Sequence, residues 1–148
     1  MVCTFFGNKD APSSVKEKLK RTIKGLIDEK GAVCFYVGNN GNFDLFVQKV
    51  LSELKDEGAA IDYAIVLSSL GEVALGGNQE RTIFPVEMEN VPPRFAISRR
   101  NEWMIKKSDC LIAYAKHQFS NSRKWVEKAS KKGLQVIDLA EGSGSSAG

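Results

Sequence analysis

Apolar positions along the chain fall into two alternating patterns: short continuous runs, and longer stretches where they recur every three or four residues. Val2 to Phe6 has the length of a strand and leads into Gly7-Asn8-Lys9-Asp10-Ala11-Pro12, a turn composition. Val15, Leu19, Ile23, Leu26 and Ile27 then recur at helical spacing. Ser14, with Glu17 three residues on, predicts a capping box at the start of that helix, and Gly31 predicts its end. Cys34 to Val37 predicts a second strand. Phe43, Phe46, Val47, Val50, Leu51 and Leu54 predict the buried stripe of a second helix, starting near Asn42 and ended by Gly58. Tyr63 to Leu67 is an apolar run bounded by polar residues, as in a strand covered on both faces. Ser68 to Asn90, with Gly71, Gly76 and Gly77, predicts a long mobile loop with a short strand near Thr82 to Phe84. Pro92-Pro93 predicts a helix entrance, with the helix over Arg94 to Lys107. A strand over Cys110 to Tyr114, a helix over Asn121 to Lys132 and a strand over Leu134 to Leu139 complete the series.

Strands alternating with helices at these lengths imply an α/β fold, a mostly parallel sheet with helices on both faces. The 148 residues suit one domain over 1–140, followed by a Gly/Ser-rich tail over 141–148. Hydrophobic residues at 43% and charged residues at 26% are ordinary for a globular protein. A formal net charge of +3 is too small to argue for nucleic acid by itself. No apolar run reaches the roughly 18 residues that span a bilayer. Met1 leads straight into a strand-like segment rather than a signal peptide, so the cytoplasm is the expected compartment and no membrane partner is expected. Cys3, Cys34 and Cys110 lack metal-ligand spacing and lie in or beside apolar runs, which predicts buried reduced thiols, no metal site and no cofactor.

Candidate chemistry concentrates where strands end. In a parallel sheet, ligands sit beyond the carboxyl ends of the strands, and three polar loops qualify: Gly7 to Asp10, Gly38 to Asp44, and Lys116 to Ser122. The run Tyr36-Val37-Gly38-Asn39-Asn40-Gly41-Asn42-Phe43-Asp44 takes a strand through a glycine turn into a helix, a geometry whose free backbone N–H groups suit an anion. Neither G-x-G-x-x-G nor G-x-x-x-x-G-K-[ST] is present. Asp44 is either an acidic residue in a first helical turn or a carboxylate that accepts from ribose hydroxyls or a base edge. Asn39 and Asn40 are turn residues or ligand contacts. Ile97, Met104 and Ile105 mark a buried helical face that also holds Asn101, whose amide either serves a ligand or ties down loop backbone. Arg99 and Arg100 either grip a phosphate or form surface ion pairs. Lys9 meets an anion or is solvated, and His117, the one histidine, follows a strand end with no partner identifiable. The candidate ligand contacts are therefore Gly7, Asn8, Lys9, Gly38, Asn39, Asn40, Gly41, Asp44, Arg100, Asn101 and His117.

Several segments carry a family resemblance: Cys3-Thr4-Phe5-Phe6-Gly7, Phe35 through Asp44, Val91-Pro92-Pro93-Arg94-Phe95-Ala96-Ile97, and Arg100-Asn101-x-Trp103-Met104-Ile105-x-x-Ser108-Asp109. Over about residues 2 to 140 the chain resembles the small bacterial proteins of the SLOG superfamily. These are Rossmann-like domains related to DNA-processing protein A and to the lonely-guy phosphoribohydrolases. The resemblance implies a Rossmann-like three-layer sandwich and a site for nucleotides or nucleotide-derived signals, with the turn after the second strand at its heart. It carries over to Gly7, Gly38, Asn40, Gly41, Asp44, Arg100 and Asn101. Two departures fall in that site: Asn8-Lys9 where His-Arg is usual, and Phe119-Ser120-Asn121-Ser122 where many members have a glycine pair. The P-G-G-x-G-T-x-x-E motif of the phosphoribohydrolases is absent, so their activity does not transfer.

Three functions compete. The first is binding, sensing or sequestering, of a nucleotide-like small molecule. The second is cleavage or transfer at an N-glycosidic bond, with Asp44 as the leading carboxylate and Glu87 and Glu89 behind it. The third, single-stranded nucleic acid binding, ranks last at +3. A homodimer is the default assembly.

Overall fold

The computed structural model describes residues 1–116 and 120–140. Strands and helices alternate as β1 (Val2–Gly7), α1 (Val15–Lys30), β2 (Cys34–Val37), α2 (Gly41–Asp56), β3 (Asp62–Val66), β4 (Thr82–Ile83), α3 (Ala96–Lys106), β5 (Cys110–Tyr114), α4 (Asn121–Lys131) and β6 (Gln135–Asp138). The strands form one all-parallel sheet in the order β4-β3-β2-β1-β5-β6. This is an α/β, Rossmann-like three-layer fold. Because β2 lies on one side of β1 and β5 on the other, the chain reverses its direction of travel across the sheet beside β1.

The uninterrupted apolar strands follow from having a core on each face. Phe5, Phe35, Ile65 and Ile112 face α1 and α2, where Leu19, Ile23, Phe43, Val47 and Leu51 are fully buried. Their sequence neighbours Phe6, Val66, Leu111 and Ala113 face α3 and α4, against Met104, Ile105, Trp125, Val126 and Ala129. Each Leu, Ile or Phe so buried stabilises the fold by about 1.5–3 kcal/mol. Cys3 and Cys110 lie opposite each other in register on β1 and β5; both are buried free thiols, whereas Cys34 is half-buried.

Local departures from the sequence expectation have physical causes. No capping box opens α1: Ser14 is itself in the helical region, and its side chain accepts nothing. Val15 and Lys16 instead donate their N–H groups to Pro12 and Ser13, so a tight backbone turn performs the hydroxyl's task. Helix α3 starts at Ala96 because Pro93–Phe95 form a single turn of 3-10 helix, closed by Phe95 N–H on Pro92 O. The connection after β3 is tied down rather than loose. Glu72 accepts from the N–H groups of Ser68 and Ser69, while Gln79 accepts from Ala74 N–H and donates to Glu72 O. Among the described residues, no helix is long and apolar enough to cross a membrane. His117 and the tail 141–148 lie outside the described residues.

Candidate functional site

A cleft of about 420 Å³ opens beyond the carboxyl ends of β1 and β5, at the reversal point where ligands bind in open α/β sheets. All three polar loops contribute to it: Gly7, Asn8 and Lys9 at the end of β1 and just after it, Asn40 and Asp44 at the start of α2, and Ser120, Asn121 and Ser122 at the start of α4. Helix α3 closes one side with Ile97, Ser98, Arg100, Asn101 and Met104, and α4 adds Lys124 and Trp125.

Two glycines make this convergence possible. A Cβ on Gly38 would stand 2.9 Å from Asp44 Oδ2 and 3.1 Å from Arg100 Cζ, so only glycine lets both charged groups close on the turn. Gly41 has φ +84°, and a Cβ there would stand 2.6 Å from Lys9 Cα. The loop after β1 therefore lies against the start of α2, with Asn42 N–H donating to Lys9 O at 2.9 Å.

Arg100 organises the cleft floor. It is 2% exposed and donates from Nη1 to Val66 O at 3.1 Å, from Nη2 to Asn40 Oδ1 at 2.9 Å, and from Nε to Asn101 Oδ1 at 2.8 Å. It is not a surface ion pair; that description suits its neighbour Arg99, which lies 3.9 Å from Glu102. Asn8 is tied the same way, its Oδ1 accepting from Lys116 N–H at 2.9 Å. In all three amides the oxygen is held by the protein, so each side chain is oriented with its NH₂ donors left for the cleft it lines.

Asp44 is the only carboxylate lining the cleft among the described residues. Its Oδ2 accepts from Asn40 N–H at 2.9 Å. Burial pushes its pKa up to about 6; the Arg100 charge and the Asn40 hydrogen bond pull the other way without overcoming it. Lys9 and Lys124 stand exposed at the rim. With Arg100 beneath, the cleft holds three cationic side chains against one carboxyl that titrates near neutrality.

The structure departs from the expected anion cradle at the Gly38 turn. The N–H groups of Asn40 and Asn42 are already bonded to Asp44 and Lys9, and Gly38 O accepts from Gln48 at 3.0 Å. Asn39 does not line the cleft. Its Nδ2 donates to Glu72 Oε2 and Val73 O, and its Oδ1 accepts from Gln48 Nε2 and Leu75 N–H, which fills the amide. Burial works to raise the Glu72 pKa, but the bonds from Ser68, Asn39 and Ser69 outweigh it and hold the carboxyl below its usual range. Glu89 lines a different groove, beside Met88 and Pro93.

No protein-family model matches the chain, and no curated protein does. Among the described residues no three His, Cys, Asp or Glu side chains gather as metal ligands would.

Sequence reasoning overlooked Gln48, Lys124 and Ser98. Gln48 is fully buried beside Val47 on the core side of α2, bonded to Gly38 O, Asn39 Oδ1 and Gly76 N–H. A polar residue one turn after Asp44, inside an apolar stripe, was the available signal. For Lys124 the signal was its place one turn into a helix that starts at a strand's carboxyl end.

Proposed function

We propose that the protein binds a nucleotide or nucleotide-derived small molecule in the cleft beyond the carboxyl ends of β1 and β5, and that it is a SLOG-superfamily protein. The observation that carries this reading is the donor wall. The amides of Asn8, Asn40 and Asn101 are pinned by their oxygens and offer NH₂ groups beside Lys9 and Lys124. Such a wall suits an anionic ligand rich in acceptors, as a phosphorylated one is. The free oxygen of Asp44 adds one acceptor, suited to a sugar hydroxyl or an amino group on a base.

A thermal-shift screen of nucleotides tests the reading, since ligand at about 100 times its dissociation constant adds roughly 2.7 kcal/mol of stability. Asn101→Ala removes one donor to a charged group and weakens that binding by about 1.5–3 kcal/mol. A screen in which no nucleotide or nucleoside raises the melting temperature overturns the proposal.

The single cleft carboxyl, poised near neutral pH, also favours a second reading, in which Asp44 assists cleavage of an N-glycosidic bond. Release of free base from a nucleoside monophosphate, abolished in Asp44→Ala, would convert the binding reading into this one.

A further inference from the structure

The connection from β3 to α3 is built the reverse way from an ordinary surface loop. Its polar side chains bond to the protein. Glu72 accepts from Ser68 and Ser69 N–H and from Asn39, Gln79 joins Ala74 N–H to Glu72 O, and Asn78 donates to Tyr63 Oη at 2.9 Å. Its large apolar side chains face outward. Among the described residues seven such side chains are exposed, and six of them, Leu70, Val73, Leu75, Val86, Phe95 and Ile97, fall between residues 70 and 97. Leu70 is 77% exposed and Val86 71%. A single exposed leucine or valine is ordinary. A connection bonded firmly in place and apolar on its open side marks a surface that another molecule covers.

That surface has a shape and a charge. A groove of about 540 Å³ lies just past the carboxyl ends of β3 and β4, with Leu70, Phe84, Met88, Val91 and Ile97 in its lining and Glu89 beside them. Ser68 to Pro93 carries four glutamates against one arginine, −3 in a chain of +3, so the rest of the chain holds +6. Arg81 is engaged by Asp62 at 2.7 Å, whereas Glu80, Glu87 and Glu89 have no ion-pair partner among the described residues. The arginines that follow do not neutralise them: Arg94 lies over the Phe95 ring at 4.7 Å, Arg99 beside Glu102 at 3.9 Å, and Arg100 is buried in the cleft floor. Glu87 and Glu89 flank Met88 directly.

We infer that this groove docks a basic segment of another polypeptide, one with an aliphatic or aromatic anchor between lysines or arginines. Leu70, Phe84, Met88 and Ile97 receive the anchor. Glu87 and Glu89 meet the flanking cations, which speeds encounter and fixes orientation. Side chains rather than an added strand carry the contact, because β4 offers two residues of edge and Pro85 follows close behind. A second copy of the chain suits this face less well, since a two-fold contact would set one copy's glutamates against the other's. Nucleic acid and anionic membranes are repelled by the same charge. The inference goes beyond the cleft reading and does not depend on it.

Selection of a random-peptide display library on the immobilised intact chain tests it. Enriched sequences combine lysine or arginine with leucine, isoleucine, phenylalanine or tryptophan a few positions away. An enriched peptide is then labelled and its binding followed by fluorescence anisotropy. E87Q/E89Q weakens that binding about three- to tenfold and flattens its salt dependence. L70S/V86S, at exposed positions where substitution disturbs folding little, weakens it about tenfold or more. Val33→Ser, which changes the remaining exposed apolar side chain, leaves it unchanged. The inference is overturned by a selection that enriches nothing, or enriches acidic or uncharged sequences. It is equally overturned by similar losses in V33S and L70S/V86S, or by self-association of the intact chain that L70S/V86S abolishes. A melting curve of each variant separates lost binding from lost fold.

Discussion

Asp44 sits 7% exposed on a turn stripped of side-chain bulk at Gly38, and burial outweighs Arg100 and the Asn40 N–H in setting its pKa near 6. The folded state therefore holds that proton more tightly than the unfolded chain, where an aspartate titrates near about 3.9. A raised carboxyl favours folding fully below the unfolded value, and that contribution fades as pH rises through about 6. The whole effect is on the order of 2 to 3 kcal/mol. In Asp44→Asn the amide oxygen still accepts from Asn40 N–H, but nothing titrates. Urea denaturation of the two proteins should agree near about pH 4 and diverge upward, with the variant the more stable by about 2 kcal/mol at about pH 8. Glu53 and Glu72, whose pKa values are lowered, contribute the opposite slope in both proteins, so the difference between the two isolates Asp44. A variant less stable than the parent at high pH would mean that Arg100 dominates the site.

At the scale of elements, Gln48 stands out. From the middle of α2 it reaches the end of β2 through Gly38 O and the distant connection through Gly76 N–H at 2.8 Å, with Asn39 as its partner. Gln48→Leu keeps the volume roughly constant and leaves Gly76 N–H and part of the Asn39 amide without partners. A loss of about 1–3 kcal/mol follows, with amide hydrogen exchange accelerating first around 73–77. Unchanged exchange there would show that Glu72 and Gln79 hold the segment without Gln48. The same residues explain what the sequence made legible. Leu19 and Ile23, or Val47 and Leu51, declare a buried helical face by spacing alone, because each signal is local. The connection from Ser68 to Asn90 gave no such signal, since its order comes from side-chain bonds of Glu72 and Gln79 within it and from Asn39 and Gln48, some 25 to 40 residues earlier in the chain. Asn39 itself was misplaced for that reason: a turn asparagine shows its neighbours in sequence but not a partner such as Glu72. The three loops that meet at the cleft were legible, because strand-end position follows from the order of elements. That the Asn8, Asn40 and Asn101 oxygens are all held by the protein was not, because Arg100 and Lys116 reach them only in the folded chain.

For the whole molecule, charge is the property that topology rearranges most. Lys16 and Lys20 of α1 find carboxylates on and just beyond α2, while on α3 and α4 Arg99 and Lys128 share Glu102 and Arg123 meets Asp138. Surface ion pairs contribute only about 0 to 1 kcal/mol each, and salt weakens them as it weakens repulsion, with a screening length of about 10 Å at 0.1 M. Paired and unpaired charges therefore respond to salt with opposite signs. Among the described residues the lysines without an ion pair outnumber those with one, so repulsion sets the balance. Thermal unfolding of the intact chain should shift upward by a few degrees as sodium chloride rises from about 10 mM to about 200 mM. K106Q/K128Q/K132Q should begin at a higher melting temperature at low salt and gain less from added salt, converging on the intact chain at the upper end. Loss of melting temperature with salt in the intact chain would place the larger electrostatic term in the ion pairs.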